Sequence, residues 1–427
     1  MTDVLNKLKK IADSEAKKRL LENFFSLSFL QAANYILPLI TLPYLVRVLG
    51  VEYFGLLAFA TATVSYFGIL TEYGFNLTAT RDISIYRDDK EKVIEIFSSV
   101  MTIKFFLMFL SFLLMTTLVF SFEKFHQYWY IYFLTFGVVV GQTLFPVWFF
   151  QGMERMKYST YLNVLAKLIF TIAIFIFVKH KEDFYIVPIL TSFGFIFSGI
   201  LSLIIIKTKF DIVFRKQYFK QIRYYFEESS KVFTGMFSYS LITTSTIFIL
   251  GLFTSNIIVG YFSAVQRLIK GFSSLVTPIS QSLYPYLANI YNKDKAHAFR
   301  LSLKATLIYF LFSLILLFIL YFFPEPIITI IYSKVLLEEK VILLFKIFSF
   351  FPLLFGIVNI FCTQMLLIFK QFKIYRLILF FCFILNILLS YFLIIFYNEM
   401  GAAFSIIITE LVIIITSVFF IIKLKMK

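Results

Sequence analysis

The stretch Phe145-Pro146-Val147-Trp148-Phe149-Phe150-Gln151-Gly152-Met153-Glu154-Arg155-Met156-Lys157-Tyr158, running on to Lys167, decides the fold of this chain. An apolar run ends in a proline and an aromatic cluster, then meets a short polar turn carrying Glu154, Arg155 and Lys157. A second apolar run follows at once, with Asn163 and Lys167 inside it. Two long apolar helices joined by a tiny basic turn read as a membrane hairpin whose turn faces the cytoplasm. The rest of the chain repeats the unit.

Composition agrees. The 427 residues are 60% hydrophobic and only 15% charged, with a mean hydropathy of +0.88. A soluble domain has about half apolar and about a quarter charged residues, so this is a membrane chain. The 59 Phe exceed what one soluble core needs, and lipid-facing surfaces absorb them. The net charge of +16 does not point to nucleic acid, because the basic residues lie between apolar runs and set topology instead. Cys362 and Cys382 lie within apolar runs and His126, His180 and His297 in loops, so no metal site, haem motif or disulfide framework can be built. No cofactor is expected.

At about 20 residues per span, twelve spans are expected near 24–46, 54–76, 96–121, 128–150, 159–178, 184–206, 232–253, 257–289, 303–323, 341–369, 377–396 and 403–422. Pro38, Pro43, Pro146, Pro278, Pro285 and Pro352 are expected to kink them. Residues 1–23 are charged and read as a cytoplasmic amphipathic helix, with Leu5, Leu8, Ile11 and Leu20 at the membrane surface. Most Lys and Arg fall in this segment, the even-numbered loops and the tail, whereas the opposite loops hold Arg47, Lys124, Lys179, Lys181, Lys334 and Lys340. Both termini are therefore expected in the cytoplasm.

The basic connection 207–231 divides the chain into six-span lobes, 24–206 and 232–427, the latter ending in a basic tail. A faint echo supports the division: Phe54-Gly55-Leu56-Leu57-Ala58 in span two against Val259-Gly260-Tyr261-Phe262-Ser263-Ala264 in span eight. Two such halves around a cavity are a transporter plan. The expectation is an all-α polytopic membrane protein with about twelve helices in two six-helix lobes around a central cationic cavity.

Polar residues inside spans mark faces that avoid lipid. In span eight, Ser263, Arg267, Lys270, Ser274, Thr277, Gln281 and Tyr284 recur at three- and four-residue steps, which puts them on one helix face. Span two carries Thr61, Ser65, Gly68, Glu72 and Asn76; span one Ser28, Gln31, Asn34, Pro38 and Thr41. Span seven is dense in hydroxyls (Ser238, Ser240, Thr243, Thr244, Ser245, Thr246), which suit either sugar contact or helix–helix hydrogen bonds. Lys104, Lys167, Lys346 and Glu410 are further embedded charges for which snorkelling or a local pair competes with function. Arg47, just past span one, is a surface anchor or a rim residue. A cavity lined by Arg and Lys attracts phosphate. A cation exporter needs acidic groups instead, and Glu72 and Glu410 are the ones within spans. The sequence has no GxxxxGK[ST] loop and no loop large enough for a nucleotide-binding domain.

Phe145–Lys167, Gly74-Phe75-Asn76-Leu77-Thr78-Ala79-Thr80-Arg81-Asp82-Ile83-Ser84 and Leu42-Pro43-Tyr44-Leu45-Val46-Arg47-Val48-Leu49-Gly50 together resemble the bacterial polysaccharide transporter family. More narrowly, they resemble O-antigen flippases of the multidrug/oligosaccharidyl-lipid/polysaccharide exporter superfamily. The resemblance implies a non-enzymatic flippase for oligosaccharide repeat units on undecaprenyl pyrophosphate, in the inner membrane. A polysaccharide polymerase and chain-length regulator are implied partners. Related lipid II flippases carry an Arg after the first span and another in the eighth, which implies Arg47 and Arg267 here. The expected substrate contacts are Arg267, Lys270, Arg47, Arg81, Gln281, Ser274 and Asn34. Glu72, Glu410, Lys346 and Lys167 are expected ion-coupling or gating positions, for H⁺ or Na⁺. The rival readings are a drug/cation antiporter, which predicts an acidic cavity, and a membrane polymerase. A polymerase predicts a large outer loop with Arg or His, whereas the longest outer loop here, about 324–340, has neither.

Overall fold

A computed structural model describes residues 15–274, 287, 290, 291, 295–369 and 371–425, and over 15–36 and 234–240 it gives the path of the helix. The described residues are helical nearly throughout and include no strand. Glu15–Glu72 is helical over 58 residues but breaks at Gly50 (φ 76°, ψ 169°). Unbroken it would reach about 87 Å, close to three times a bilayer core of about 30 Å. The break sits in a region of backbone space that only glycine enters freely. Phe372–Lys425 is likewise 54 residues long and breaks at Asn398 (φ 48°, ψ −125°).

Between these lie Lys90–Ser121, Trp129–Leu144 with Val147–Gly152, Met156–Phe177, Ile186–Phe210, Phe219–Phe253, Asn256–Ser274 and Lys295–Phe322. Glu339–Phe348, Phe351–Val358 and a π-helical segment Asn359–Met365 complete the set. The expected spans fall on these helices, span ten on several and span eight being described to Ser274. Eight stretches among the described residues are long and apolar enough to cross a bilayer, the two broken ones counted once each. The chain is a polytopic all-α membrane protein.

Three local features differ from expectation. Phe75–Tyr86 is a helix where a loop was expected, started by Gly74 in the left-handed region (φ 82°). Pro324–Tyr332 forms a helix inside the expected outer loop. Span ten is jointed, with Pro352 in the first turn of Phe351–Val358 and the π segment after it. Pro146 and Pro352 stand at helix starts, where a missing N–H is tolerated, while Pro38 and Pro43 lie within the continuous helix. Pro278, Pro285 and residues 1–14 lie outside the described residues.

The chain forms two compact units. The first comprises residues up to 38, 64–179 and 185–233. Its core is the aromatic run of the hairpin: Trp148, Phe149 and Phe150 are fully buried among Phe97, Tyr73, Phe75 and Ile83. The turn closes with Glu154 at φ 54° and the Arg155 amide donating to the Phe150 carbonyl at 2.9 Å. Ion pairs tie the loops together: Arg87–Glu154 at 2.7 Å, Arg215–Glu91 at 2.7 Å, and Lys90 with Asp211. Much of the basic character of these loops is thus neutralised locally.

The second unit comprises 39–63, 180–184 and 234 onward. Its core gathers Tyr309, Cys362, Met365, Leu379, Cys382 and Ile413 from four helices. The two echoing segments meet here. A Cβ on Gly55 would lie 1.8 Å from the Asn256 carbonyl oxygen, and one on Gly260 would lie 2.2 Å from that of Val51. Two helices thus cross with backbones in contact, as small residues allow in membranes. Span nine does the reverse and buries little, leaving Leu307, Ile308, Leu311, Phe312, Ile315, Phe318 and Phe322 exposed.

Candidate substrate site

The site is built on span eight, Asn256–Ser274, in the second unit. Its small residues Gly260 and Gly271 seat it against Val51 and Leu39 of the first two helices. The next face carries the polar stripe. Ser263 and Gln266 are buried, and among the described residues Ser263 Oγ and Gln266 Nε2 have no hydrogen-bond partner. Arg267 is exposed, and its guanidinium stands 5.3 Å from the centroid of the Phe54 ring, a cation–π distance. Lys270, three residues on, is half-buried. Among the described residues, neither Arg267 nor Lys270 forms an ion pair. Glu410 of span twelve is 6% exposed, and its Oε2 has no hydrogen-bond partner among the described residues. Arg267, Lys270 and Glu410 all belong to the second unit. The side chains of Ser274 and Asn34, and Gln281, Thr277 and Tyr284 entirely, lie outside the described residues.

The remaining expected residues are otherwise engaged. Arg47 donates from Nη2 to the carbonyls of Ile331 (2.5 Å) and Ile330 (3.3 Å), capping the C-terminal end of Pro324–Tyr332. Such carbonyls lack intrahelical donors, so Arg47 anchors this helix with two bonds and keeps further N–H groups to offer. Lys346 lies 5.9 Å from the Tyr321 ring. Lys167 is half-buried on span five.

In the first unit, Glu72 accepts from Lys104 Nζ at 2.9 Å and from Asn76 Nδ2 at 2.7 Å, and Lys104 is wholly buried. Lys104 is thus held by a local pair and does not snorkel. Arg81 lies between Asp82 (2.8 Å) and Glu228 (3.7 Å). A hydrogen bond from Lys231 holds the Glu228 carboxyl below the usual carboxylate range, with Arg81 adding to it.

Two features escaped the sequence reading. One is Gln266, which lies one position off the stripe. The other is a neutral knot in the second unit: Thr246 Oγ1 to Asn386 Oδ1 (3.3 Å), Asn386 Nδ2 to Thr409 Oγ1 (3.1 Å), and Ser390 to Ser405 (3.0 Å). Asn386/Ser390 and Ser405/Thr409 each sit four residues apart, so the spacing rule applied to span eight would have found them. Among the described residues, no three His, Cys, Asp or Glu side chains gather to hold a metal ion.

Residues 20–291 match the model of a family described as polysaccharide biosynthesis protein. The chain is 30% identical over 405 residues to a protein of Escherichia coli K12 named "Putative O-antigen transporter", covering 92% of this chain and 94% of that protein. Its fold is similar to that of the lipid II flippase MurJ in an inward closed conformation, with a TM-score of 0.75 at 16% identity over 94% and 87% of the two chains. An inward-facing multidrug-resistance transporter of the MATE family, in the MOP superfamily, gives a TM-score of 0.66 at 13% identity over 91% and 94%. These matches, over a polytopic helical fold, place the chain in the polysaccharide biosynthesis protein family.

Proposed function

We propose that this protein is a flippase that carries undecaprenyl-pyrophosphate-linked oligosaccharide repeat units, of O-antigen or a similar surface polysaccharide, across the bacterial inner membrane by alternating access. The observation that carries the reading is Arg267 and Lys270, one helical turn apart and without an ion pair among the described residues. A pyrophosphate supplies the negative charge that this face lacks, and guanidinium binds phosphate through paired hydrogen bonds. Arg47 contributes through the donors that its helix cap leaves over, and Arg81 through exchange of its carboxylate partners for phosphate. The family match and the E. coli relative's name support this substrate class. Both termini lie in the cytoplasm, an orientation that the loop charges favour. An inside-negative potential then assists outward movement of the anion by about 2.3 kcal/mol per charge per 100 mV.

Complementation tests the reading. Cells lacking the protein should accumulate repeat units on the cytoplasmic leaflet and lose surface polysaccharide. The double variant Arg267→Ala, Lys270→Ala should fail to restore it at normal expression. Full restoration would overturn the proposal. Single capped units on the outer leaflet of cells lacking the protein would favour a polymerase instead.

A further inference from the structure

The basic connection 207–231 ends at a cleft in the first unit. The opening turns of Phe219–Phe253 place Phe219, Ile222 and Phe226 on one face, at three- and four-residue steps. That face and Ile103 and Phe106 of span three enclose about 400 Å³. Ligand pockets run from about 300 to about 1,000 Å³. The start of the helix is pinned in place. Tyr225 donates to Glu95 Oε1 at 3.0 Å, the Arg215 amide donates to Ser98 Oγ at 3.0 Å, and Arg215 pairs with Glu91 at 2.7 Å. All of these residues belong to the first unit.

The charged residue of the lining is Arg223, at an exposed position. Its Nε donates to Glu227 at 2.7 Å, which leaves the Nη groups to donate elsewhere. Both partners of that pair are exposed, so water weakens it. Lys216 and Lys220 precede Arg223 and are exposed, and among the described residues neither forms an ion pair. Tyr218 and Tyr224 stand exposed beside them, as aromatic residues do at a membrane surface. Thr102 also lines the cleft, but its hydroxyl donates to the Ser98 carbonyl at 2.7 Å.

We propose that this cleft binds an acidic phospholipid, with an acyl chain between the two helices and the phosphate on Arg223 and Lys220. A free anion would leave the apolar walls uncovered, and a neutral chain would leave the cations without a partner. One molecule with both parts satisfies the whole cleft. A phosphate diester takes over from Glu227 through the paired hydrogen bonds that guanidinium offers. Basic pockets between helices on the cytoplasmic side suit anionic head groups in general. A polyprenyl carrier shares this chemistry, but it brings sugars, and the lining has no uncommitted hydroxyl or amide to meet them. The cations assigned to the carrier, Arg267 and Lys270, belong to the second unit.

The inference goes beyond the flippase reading and stands without it. Full-length Phe106→Trp protein is placed in phosphatidylcholine nanodiscs with increasing brominated phosphatidylglycerol, and the wild-type fluorescence is subtracted. Ile308→Trp, on the exposed face of span nine, is the control. Phe106→Trp protein should be half-quenched at a roughly tenfold lower fraction of the brominated lipid than the control, as attraction to several cations requires. Adding Arg223→Gln and Lys220→Gln, both at exposed positions, should erase the difference. Native mass spectrometry of delipidated wild-type protein, which needs no variant, should show phosphatidylglycerol retained in preference to phosphatidylcholine. Equal quenching of the two proteins, a difference that survives loss of the two cations, or retention without preference overturns the site. Displacement of the brominated lipid by a smaller fraction of undecaprenyl phosphate overturns the phospholipid as occupant and gives the cleft to the polyprenyl carrier.

Discussion

Lys104 illustrates what a single residue conceals in a sequence. Its place in an apolar run was plain, but its partner depended on how span three is rotated against span two. The buried ammonium meets Glu72 at 2.9 Å, with Asn76 steadying the other carboxylate oxygen. Removing one member of a buried pair strands the other charge, which costs about 3–5 kcal/mol. Glu72→Ala should therefore lower the thermal midpoint of the purified protein sharply, while Glu72→Met with Lys104→Met should recover most of the loss. A stable Glu72→Ala protein would mean that the pair contributes little. Arg267 and Lys270 were legible for the opposite reason: the three-residue step that exposes them in sequence also places them on one helix face. Arg47 was visible as a charge but not as a helix cap, because the helix that it caps lies some 280 residues away in the chain.

At the scale of elements, the repeating apolar runs fixed type and order well, since nothing but a helix satisfies its own backbone in lipid. Joints were harder to read. The π segment 359–365 lies inside an apolar run, and the helix 324–332 is signalled only by Pro324 and Glu325 at its start. The weak echo between Phe54–Ala58 and Val259–Ala264 proved informative, because its two glycines lie at one helix crossing. Gly55→Val should prevent that approach, since the atoms in the way belong to backbone and cannot swing aside. Monodisperse protein should be lost from size-exclusion profiles, whereas Leu307→Val on the exposed face of span nine should leave the profile unchanged.

For the whole molecule, the polytopic helical class was readable from apolar length alone. The boundaries of the compact units at 38/39, 63/64 and 233/234 pass within helices, where composition does not change. Orientation in the membrane is an independent matter that labelling decides. Cys362 and Cys382 are buried and free, so an introduced thiol reports cleanly. Lys90→Cys should resist an impermeant maleimide in intact cells and Glu182→Cys should react. The reverse pattern would invert the topology.

The contrast between span nine and the Gly55–Gly260 crossing also bears on how this lineage can vary. Along span nine, selection sees hydrocarbon character and little else, so Leu307, Ile308, Leu311, Phe312 and Ile315 are free to drift among apolar types. At the crossing, one added methyl group has no room, and change there requires both helices to move together. Relatives of this chain are therefore expected to keep the two glycines while exchanging the residues of span nine.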